Sequence, residues 1–348
     1  MGQVVAPASG HMPTQLGVLV RRNEPYSMMV YREEIVTRMP EARMQAIIFN
    51  EYAPVPDTCD LIWDPSLGGN TPPMKRFRSV KTPFVATVHG ASPFSMRWKD
   101  IFPSARIAFI EKTRNLMTLR RWRWFRPMLK AVIAVSDFGK DEICRMLMIR
   151  NSSVHVIYHG LNRDIFTPSG EAKDMGIPYF LVVAQYQKKK NIERILSAYQ
   201  RLPQEGRPRL VAILPGYEKT PAIKGLLIIQ EGLSQKDLAP WYRGAAALVF
   251  PSLHETFGMP IIEAMACGCP VITSDRTACR ETAGDAALLV DPYSIGSISH
   301  AMRTIIDNRG LRSALISDGL HRARAFSWQK SAESHLRVFE QALGKHEN

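Results

Sequence analysis

Two carboxylates lie eight positions apart in the stretch HETFGMPIIEAMACGCPVI, residues 254–272. Glu255 belongs to a glycine-containing loop, and Glu263 belongs to a short helix predicted over residues 259–267. Pro260 suits the first position of that helix, because the N–H that proline lacks would have no partner there. The Gly-Cys-Pro sequence behind the helix is a typical stop signal. The spacing therefore places one carboxylate before a helix and the other one turn inside it.

The start of this helix is a candidate anion site, since its first backbone amides and the positive end of its dipole point out of the helix. Glu255 is either a catalytic carboxylate or an acidic residue favoured near a helix start. Glu263 would repel a bound phosphate unless it accepts hydrogen bonds from hydroxyl groups, and a ribose offers two adjacent ones. The pair of glutamates therefore favours a nucleotide sugar over a bare phosphate.

A second loop carries three consecutive lysines, Lys188, Lys189 and Lys190, between the predicted strand YFLVVA and a helix that begins at about Asn191. Three lysines at a loop tip are commonly a solvated patch. At the carboxyl end of a strand, where such sheets bind ligands, they could instead hold a diphosphate and neutralise it without a metal ion. Both interpretations are open from the residues alone.

Short β-branched runs alternate with helical patterns along the chain, which is typical of parallel sheets covered by helices. A polar, proline-marked segment, FTPSGEAKDMGIP (166–178), interrupts the alternation and is the predicted linker. We therefore expect an α/β protein with two doubly wound domains that face each other across a cleft. The predicted strands are 15–21, 45–50, 60–64, 84–89, 131–136, 154–159, 179–184, 209–215, 225–230, 247–252, 270–274 and 287–291.

The composition is that of a globular protein: 348 residues, 45% hydrophobic and 22% charged, a length that suits two domains. No apolar run reaches the roughly 18 residues of a membrane-spanning helix. The opening MGQVVAPASGHM lacks the basic start and apolar run of a signal peptide and is left out of the fold prediction.

The five cysteines are odd in number and lie in apolar or helical contexts, which predicts reduced thiols in a cytosol-like compartment. Cys267 and Cys269 have no second ligand pair at metal-binding spacing. They are interpreted as small apolar residues at a helix end, and no metal site is predicted.

The positive charge is concentrated in the first half. Residues 1–170 hold 23 Lys and Arg against 14 Asp and Glu, a net charge of +9, and residues 171–348 hold 22 against 18, a net charge of +4. The densest stretch is KTRNLMTLRRWRWFRPMLK (112–130), where arginines alternate with aromatic residues. It is either a helix on an anionic membrane surface or a solvated helix whose aromatic residues pack into its own domain. Nucleic-acid binding is not expected, because no motif for it accompanies the charge.

Beyond these features, the sequence resembles the retaining glycosyltransferases of family 4, which have the GT-B fold. In the second half the resemblance rests on VAQYQKKKN, YRGAAALVFPSLHETFGMPIIEAMACGCPVITSD and ETAGDAALLVDP. In the first half it rests on ATVHG, AVSDFGKDEI and VIYHGLNRDIFTP. It implies a Rossmann-like acceptor-side domain at 13–168 and a Rossmann-like nucleotide-sugar domain at 175–326. A terminal helix within 327–344 would cross back and pack on the first domain.

The resemblance also implies three catalytic residues. Glu255 would lie at the donor sugar, and Lys190 would bind the diphosphate and help the leaving group depart. His89 would face the cleft from the first domain, close to the transferred sugar. From the residues alone, His89 is a histidine at the end of a strand whose role is open.

Five further residues would bind the donor. Lys189 would assist at the diphosphate and Glu263 would bind the ribose. The backbone N–H groups of Phe257, Gly258 and Met259 would contact the sugar hydroxyls and the diphosphate.

The loop after the first strand departs from the family pattern. Many members have Gly-Gly there, whereas this chain reads RRNEPYSMMVYREE (21–34) without a glycine. A close approach of the backbone to the donor then falls to Pro25, Tyr26, Ser27 or their neighbours.

We therefore expect a metal-independent, retaining enzyme that moves a hexose from a UDP- or GDP-sugar to an acceptor hydroxyl, with no cofactor besides this co-substrate. The acceptor would be a glycan, a lipid-linked sugar or a small molecule. The enzyme would be cytoplasmic, and peripheral at the inner membrane surface if 112–130 contacts lipid. The alternatives are a sugar-nucleotide epimerase or phosphorylase of the same fold, and a catalytically weak membrane-surface scaffold.

Overall fold

Two parallel sheets of six strands organise the protein, whose structure is a computed structural model describing residues 12–102 and 104–345. The first sheet contains β1 (Thr14–Val20), β2 (Met44–Asn50), β3 (Leu61–Leu67), β4 (Phe84–Val88), β5 (Leu129–Ala134) and β6 (Val154–Val156) in the order β2-β1-β3-β4-β5-β6. The second contains β7 (Tyr179–Val183), β8 (Arg209–Ile213), β9 (Leu226–Ile229), β10 (Ala247–Phe250), β11 (Val271–Ser274) and β12 (Leu288–Val290) in the order β12-β11-β10-β7-β8-β9.

Twelve α-helices lie around these sheets in the described part of the chain. They are α1 (Tyr26–Val36), α2 (Ser92–Ser95), α3 (Trp98–Ile101), α4 (Ala105–Phe125), α5 (Asp137–Leu147), α6 (Ile192–Gln200), α7 (Gln235–Gly244), α8 (Met259–Ala266), α9 (Thr277–Ala283), α10 (Ile295–Asp307), α11 (Arg309–Ala323) and α12 (Trp328–Ala342).

The predicted α/β architecture is confirmed, and each predicted strand overlaps one observed strand. The central strands β4 (FVATV) and β10 (ALVF) are buried along their whole length, as expected for parallel strands covered on both faces. The segment between β6 and β7, residues 157–178, contains no helix or strand, and it includes the stretch 166–178 for which a linker was predicted.

The two faces of the second sheet are covered by different helices. One face packs against α6 and α10, through side chains such as Ile195 and Met302. The other packs against α7 and α8, through side chains such as Tyr242 and Ile261. The helix that carries Glu263 therefore lies on the face opposite to the helix that follows the three lysines.

The last helix, α12, returns to the first sheet, which confirms the crossing predicted for the terminal helix. Its Leu336 and Phe339 share a buried cluster with Leu16 and Trp63 of the first sheet. Arg43 forms an ion pair with Glu340 on the same side, with 2.7 Å between Nη2 and Oε1.

A chain of hydrogen bonds connects the first sheet to α12. Trp63 Nε1 donates to Thr87 Oγ1 at 3.0 Å, and the hydroxyl groups of Thr87 and Tyr31 also lie 3.0 Å apart. Tyr31 in turn lies 2.6 Å from Nε2 of His335, whose Nδ1 lies 2.7 Å from the Ser331 carbonyl oxygen. Each donor in this chain has an acceptor if Nδ1 of His335 donates to the Ser331 carbonyl and Nε2 accepts from the Tyr31 hydroxyl.

The basic stretch at 112–130 is partly buried and partly exposed in the structure. Trp122 and Phe125 are buried in the core of the first half, and Trp122 Nε1 donates to the Gly69 carbonyl at 3.1 Å. Trp124 is 55% exposed and stacks with the guanidinium of Arg78. The prediction that the aromatic residues of this stretch pack into their own domain is thus confirmed for two of the three.

The structure also bears on the remaining compositional predictions. All five cysteines are free thiols, and Cys267 and Cys269 are buried at the end of α8. The opening stretch falls outside the described residues except for Met12. No helix within residues 12–102 and 104–345 is long and apolar enough to cross a membrane.

Candidate active site

The two sequence stretches singled out for chemistry lie at one edge of the second sheet. Strands β7 and β10 are parallel neighbours, so the loops that follow them leave from the same edge. The loop after β7 ends in a 3₁₀ turn over Lys188–Lys190, and the loop after β10 leads to α8. The backbone N–H of Leu253 donates to the Lys189 carbonyl at 2.8 Å and joins the two loops directly.

Asn191 holds the lysine turn in place. Its backbone is left-handed, with φ of 65°, a conformation that asparagine tolerates better than most residues. Its buried side-chain amide donates to the carbonyls of Pro251 at 2.9 Å and Pro292 at 2.7 Å. The turn is therefore fixed to the loops that follow β10 and β12.

Lys190 and Glu255 form a mostly buried ion pair, with 2.6 Å between Nζ and Oε1. Burial alone would raise the pKa of Glu255, but the charges of Lys190 and Lys189 outweigh it and lower that pKa. Glu255 is therefore an anion held between two cations. Of the three predicted catalytic residues, the structure brings these two into direct contact.

Lys189 belongs to the same turn and is partly buried. Burial lowers the pKa of its ammonium group, and the negative charge of Glu255 partly offsets this effect. A second anion at this position, such as a phosphate, would favour the charged form further.

The start of α8 adjoins this pair in the chain. Gly258 is its N-cap with φ of 98°, and α8 begins at Met259, so Pro260 occupies the second helical position rather than the first. No side chain caps this end of the helix. The Phe257 carbonyl accepts a hydrogen bond of 2.6 Å from Thr282 Oγ1, which fixes the loop before the helix.

Glu263, on α8, is only 7% exposed. The Tyr242 hydroxyl donates to its Oε2 at 2.9 Å. Burial raises the pKa of Glu263 to about 7, although the tyrosine hydrogen bond lowers it. Near neutral pH this carboxyl group therefore gains or loses a proton readily.

His89 approaches the site from the first half. Its Nε2 lies 2.7 Å from the Pro65 carbonyl and therefore donates, which leaves Nδ1 as the acceptor. Burial lowers the pKa of His89 to about 4, so the ring is neutral at pH 7. It stacks on His159 with 5.7 Å between ring centroids, and His159 meets the Phe257 ring edge-on at 4.9 Å. One imidazole thus separates His89 from the loop of Phe257.

The structure adds two residues that the sequence did not single out, Glu142 on α5 and His254. Nε2 of His254 donates to Oε1 of Glu142 at 2.7 Å, and both side chains are almost fully buried. Glu142 also accepts from the backbone N–H of Ala91 at 2.6 Å and from the hydroxyl of Ser95. A carboxylate of the first half therefore binds the residue that immediately precedes Glu255.

A second set of contacts holds the halves together beside this one. Ser136 Oγ donates to the Thr256 carbonyl at 2.6 Å, and Glu281 accepts from the backbone N–H groups of Asp137 and Phe138 at the start of α5. Gly90 has φ of 115°, and a Cβ at this position would lie 2.2 Å from Thr256 Cγ2. The close approach of the two halves therefore requires glycine at position 90.

The glycine-free loop after β1 is held by ion pairs. Arg21 Nη2 lies 2.6 Å from Oδ2 of the fully buried Asp64, and Glu24 pairs with Arg32. Pro25 is the N-cap of α1, which begins at Tyr26.

Within residues 12–102 and 104–345, no cluster of three or more His, Cys, Asp or Glu side chains could hold a metal ion.

Comparisons with known proteins agree with this architecture. The family described as Glycosyltransferase Family 4 matches residues 4–165, and the family described as Glycosyl transferases group 1 matches residues 166–322. The O-antigen chain mannosyltransferase B of Escherichia coli is 28% identical over 277 residues, which are 74% of this chain and 70% of that protein. The match to a second relative, the D-inositol 3-phosphate glycosyltransferase of Xylanimonas cellulosilytica, covers only 57% of that protein.

Solved structures of the same fold cover nearly the whole chain. Sucrose-phosphate synthase from Thermosynechococcus elongatus has a TM-score of 0.76 at 16% identity, covering 96% of this chain and all of the other. Anabaena Alr3699/HepE in complex with UDP-glucose has a TM-score of 0.69 at 13% identity, covering 94% of this chain and all of the other. At these identities the likeness shows the fold alone.

Two facing parallel sheets with a returning terminal helix, matched by these structures, define the GT-B fold. The two family matches follow one another along residues 4–322. The chain therefore belongs to the group 1 glycosyltransferases of family 4.

Proposed function

We propose that this protein transfers a hexose from a nucleoside-diphosphate sugar to an acceptor hydroxyl, with retention at the anomeric carbon and without a metal ion. The ion pair of Lys190 and Glu255, with Lys189 beside it, is the observation that carries the proposal. It provides two cations for a diphosphate and one carboxylate for sugar hydroxyls at the carboxyl ends of adjacent strands.

The incoming diphosphate would compete with Glu255 for the ammonium group of Lys190. Once Lys190 binds phosphate oxygens, Glu255 is released to accept hydrogen bonds from hydroxyl groups of the sugar. The free amides of Phe257, Gly258 and Met259 would bind the donor at the helix start, and Glu263 would accept from the ribose hydroxyls.

The reaction then proceeds on one face of the sugar. The acceptor oxygen forms a bond to the anomeric carbon as the bond from that carbon to the diphosphate breaks. The acceptor proton passes to the departing phosphate oxygen, and Lys189 and Lys190 stabilise the charge that develops there. His89, neutral and with Nδ1 as its acceptor, would contact a sugar hydroxyl from the other side of the cleft.

Two measurements test this proposal. UDP and GDP, each with and without EDTA, are screened for an increase in melting temperature, since a ligand that binds the native state stabilises it. The preferred sugar nucleotide is then incubated with and without a mixture of sugar acceptors. We expect a glycoside and free nucleoside diphosphate only when acceptor is present. A new sugar nucleotide without acceptor would indicate an epimerase, and the absence of any nucleoside-diphosphate binding would favour a scaffold.

We further propose that the enzyme works in the cytoplasm, at an anionic membrane surface contacted by the outer face of α4. Apolar and basic side chains spaced three or four residues apart share this exposed face. They include Leu116, Met117, Arg120 and Trp124. We expect co-flotation with vesicles that contain an anionic lipid and its loss in Leu116→Asp. Equal flotation with neutral vesicles would contradict the electrostatic part.

A further inference from the structure

An apolar groove lies between α4 and the two short helices that follow β4. Its volume is about 280 Å³, and eight of the ten side chains that line it are apolar. They include Met96 before α3, Trp98 and Ile101 on α3, and Ala108 and Phe109 on α4. Trp98 and Phe109 are more than half exposed, so the groove opens to solvent.

A second, larger cavity lies behind α3, between the two halves of the protein, with a volume of about 990 Å³. It extends to Asn191 and Leu253, the neighbours of the loops that carry Lys190 and Glu255. Its lining contains five cations and two acids. The cations are Arg97, Lys99, Lys188, Arg194 and Lys219, and the acids are Asp100 and Glu193.

The acids neutralise only part of this charge. Arg97 pairs with Asp100 at 2.8 Å, and Lys219 pairs with Glu193 at 3.5 Å. Lys99, Lys188 and Arg194 have no carboxylate partner among the residues that the structure describes. Lys188 instead donates to the Phe102 carbonyl at 2.8 Å. The cavity thus keeps an excess of positive charge that suits a phosphate or diphosphate group.

The groove and the cavity share a wall, because Ile101 lines both. Trp98 faces the groove, whereas Lys99 and Asp100 face the cavity, so one turn of helix separates an apolar surface from a cationic one. An amphiphile with a hydrocarbon chain and a phosphate matches this arrangement in both polarity and charge.

We propose that the acceptor is a sugar carried on a lipid phosphate, with its hydrocarbon chain in the groove and its phosphate in the cavity beside Lys99 and Lys188. This assignment rests on the proposed glycosyl transfer and names its acceptor class. The carried sugar would then extend along the cavity past Asn191 and Leu253 toward the Lys190–Glu255 pair.

Dodecyl phosphate, kept below its micelle concentration, is a direct probe of this site. Its affinity is measured by tryptophan fluorescence, with Trp98 as a reporter inside the groove and Trp98→Phe as the check on the signal. Inorganic phosphate and dodecyl maltoside are the comparison ligands, the first without a chain and the second without a charge. We expect dodecyl phosphate to bind at least roughly tenfold tighter than inorganic phosphate, because its chain buries many methylene groups. It should also bind at least roughly tenfold tighter than dodecyl maltoside, because its phosphate lies among the cations of the cavity. Equal affinity for dodecyl maltoside would overturn the phosphate assignment.

Three variants locate the binding. Ala108→Trp fills the groove and should weaken dodecyl phosphate binding by roughly tenfold or more, because the chain loses its buried surface. Thr113→Trp adds the same side chain on the exposed face of the same helix and should leave that binding unchanged. Lys99→Glu changes charge without adding bulk to the groove and should weaken dodecyl phosphate while sparing dodecyl maltoside. If Ala108→Trp and Thr113→Trp weakened dodecyl phosphate binding equally, the chain would lie on the outer face of α4, and the groove assignment would be overturned.

A parallel measurement separates this inference from the proposed function. The affinity of each variant for the preferred nucleoside diphosphate should equal that of the unaltered protein, because neither Ala108 nor Lys99 belongs to the proposed donor site. Donor binding without dodecyl phosphate binding would overturn only the acceptor assignment. Failure of donor binding in the unaltered protein would instead remove the proposed transfer itself.

Discussion

Glu142 and His254 join the two halves of the protein through a buried hydrogen bond of 2.7 Å. Glu142 is also the acceptor for the Ala91 amide, so one carboxylate holds the loop after β4 and the loop that carries Glu255. The hydrogen bonds to His254, Ser95 and Ala91 lower the pKa of Glu142 despite the opposing effect of burial. Glu142 is thus a positioning residue for the Lys190–Glu255 pair.

Replacing this carboxylate should destabilise the protein and impair catalysis together. Glu142→Ala leaves the buried donors of His254 and Ala91 without an acceptor, at about 1–3 kcal/mol for each unsatisfied group. We expect urea unfolding to give a free energy lower by about 3 kcal/mol. Glu205→Ala removes an exposed glutamate and should stay within about 0.5 kcal/mol of the original protein. Equal stability of the two variants would contradict the role given to Glu142.

Lys190 should be required for turnover but not for folding. Lys190→Ala removes a charge that would stabilise the leaving diphosphate, and losses of roughly 10²–10³ in turnover are typical when one such group is removed. The measurement is the initial rate of nucleoside-diphosphate release with saturating acceptor. Lys224→Ala, an exposed lysine of the same half, serves as the control and should keep its rate. A Lys190→Ala protein with normal turnover and a normal melting temperature would rule out the proposed role of Lys190 in stabilising the leaving diphosphate.

Glu263 should make stability fall as pH rises. Its pKa of about 7 in the folded protein exceeds the ordinary 4.5, so between these values the folded state binds more protons than the unfolded chain. Stability is therefore lost as pH increases through this window. Glu263→Gln keeps an acceptor for Tyr242 and removes the ionisation, so at pH 8 it should be more stable by on the order of 3 kcal/mol. Urea unfolding at pH 5 and pH 8 measures the difference, which should fall to about 1 kcal/mol at the lower pH.

Donor affinity should have the opposite pH dependence at the same residue. Ribose hydroxyls donate to the ionised carboxylate of Glu263, so ribose binding favours loss of its proton. The affinity for a nucleoside diphosphate should rise from pH 6 to pH 8 more steeply than that for the 2′,3′-dideoxy analogue, which cannot donate. Parallel curves for the two ligands, measured by calorimetry, would exclude Glu263 from ribose binding.

Three buried histidines around Tyr31 should make the protein sensitive to acid. Burial lowers the pKa of His89 and His335 to about 4, and that of His159 falls well below its usual value. As pH falls from 6.5 toward 4, the unfolded chain takes up protons that the folded protein excludes, so stability decreases. Each histidine contributes about 1.4 kcal/mol per pH unit in this window.

A matched pair of histidine variants tests this effect. His335→Gln should reduce the slope of unfolding free energy against pH between pH 6 and pH 4.5, because one proton fewer is taken up on unfolding. His300→Gln, at an exposed position on α10, should leave the slope nearly unchanged. Identical slopes for the two variants would show that His335 is not held neutral.

The sequence predicted those features whose signal is local. The strands were readable because buried parallel strands are continuous apolar runs, and α8 because a proline opens it and a glycine follows it. The predicted position of Pro260 in α8 was wrong by one residue, because Gly258 in a left-handed conformation allows Met259 to begin the helix. The contact of Lys190 with Glu255 follows from two loops that leave adjacent strands.

Features that depend on distant partners could not be predicted in the same way. Glu142 and His254 are 112 residues apart, and each lies in a stretch whose local pattern signals only a helix or a loop. The pairing of Tyr242 with Glu263 depends likewise on how α7 and α8 pack. The division of 112–130 into a buried and an exposed part depends on where α4 leaves the first core, which periodicity alone does not specify.

The return of α12 to the first sheet makes folding of the first half depend on the order of synthesis. Trp63 and Leu16 emerge from the ribosome early, whereas Leu336 and Phe339, which cover them, emerge only after the second half. We expect the nascent first half to remain a loosely packed intermediate until α12 has been synthesised. A chain ending before Trp328 should therefore bind a hydrophobic dye such as ANS, and a native-like truncated product would contradict this expectation.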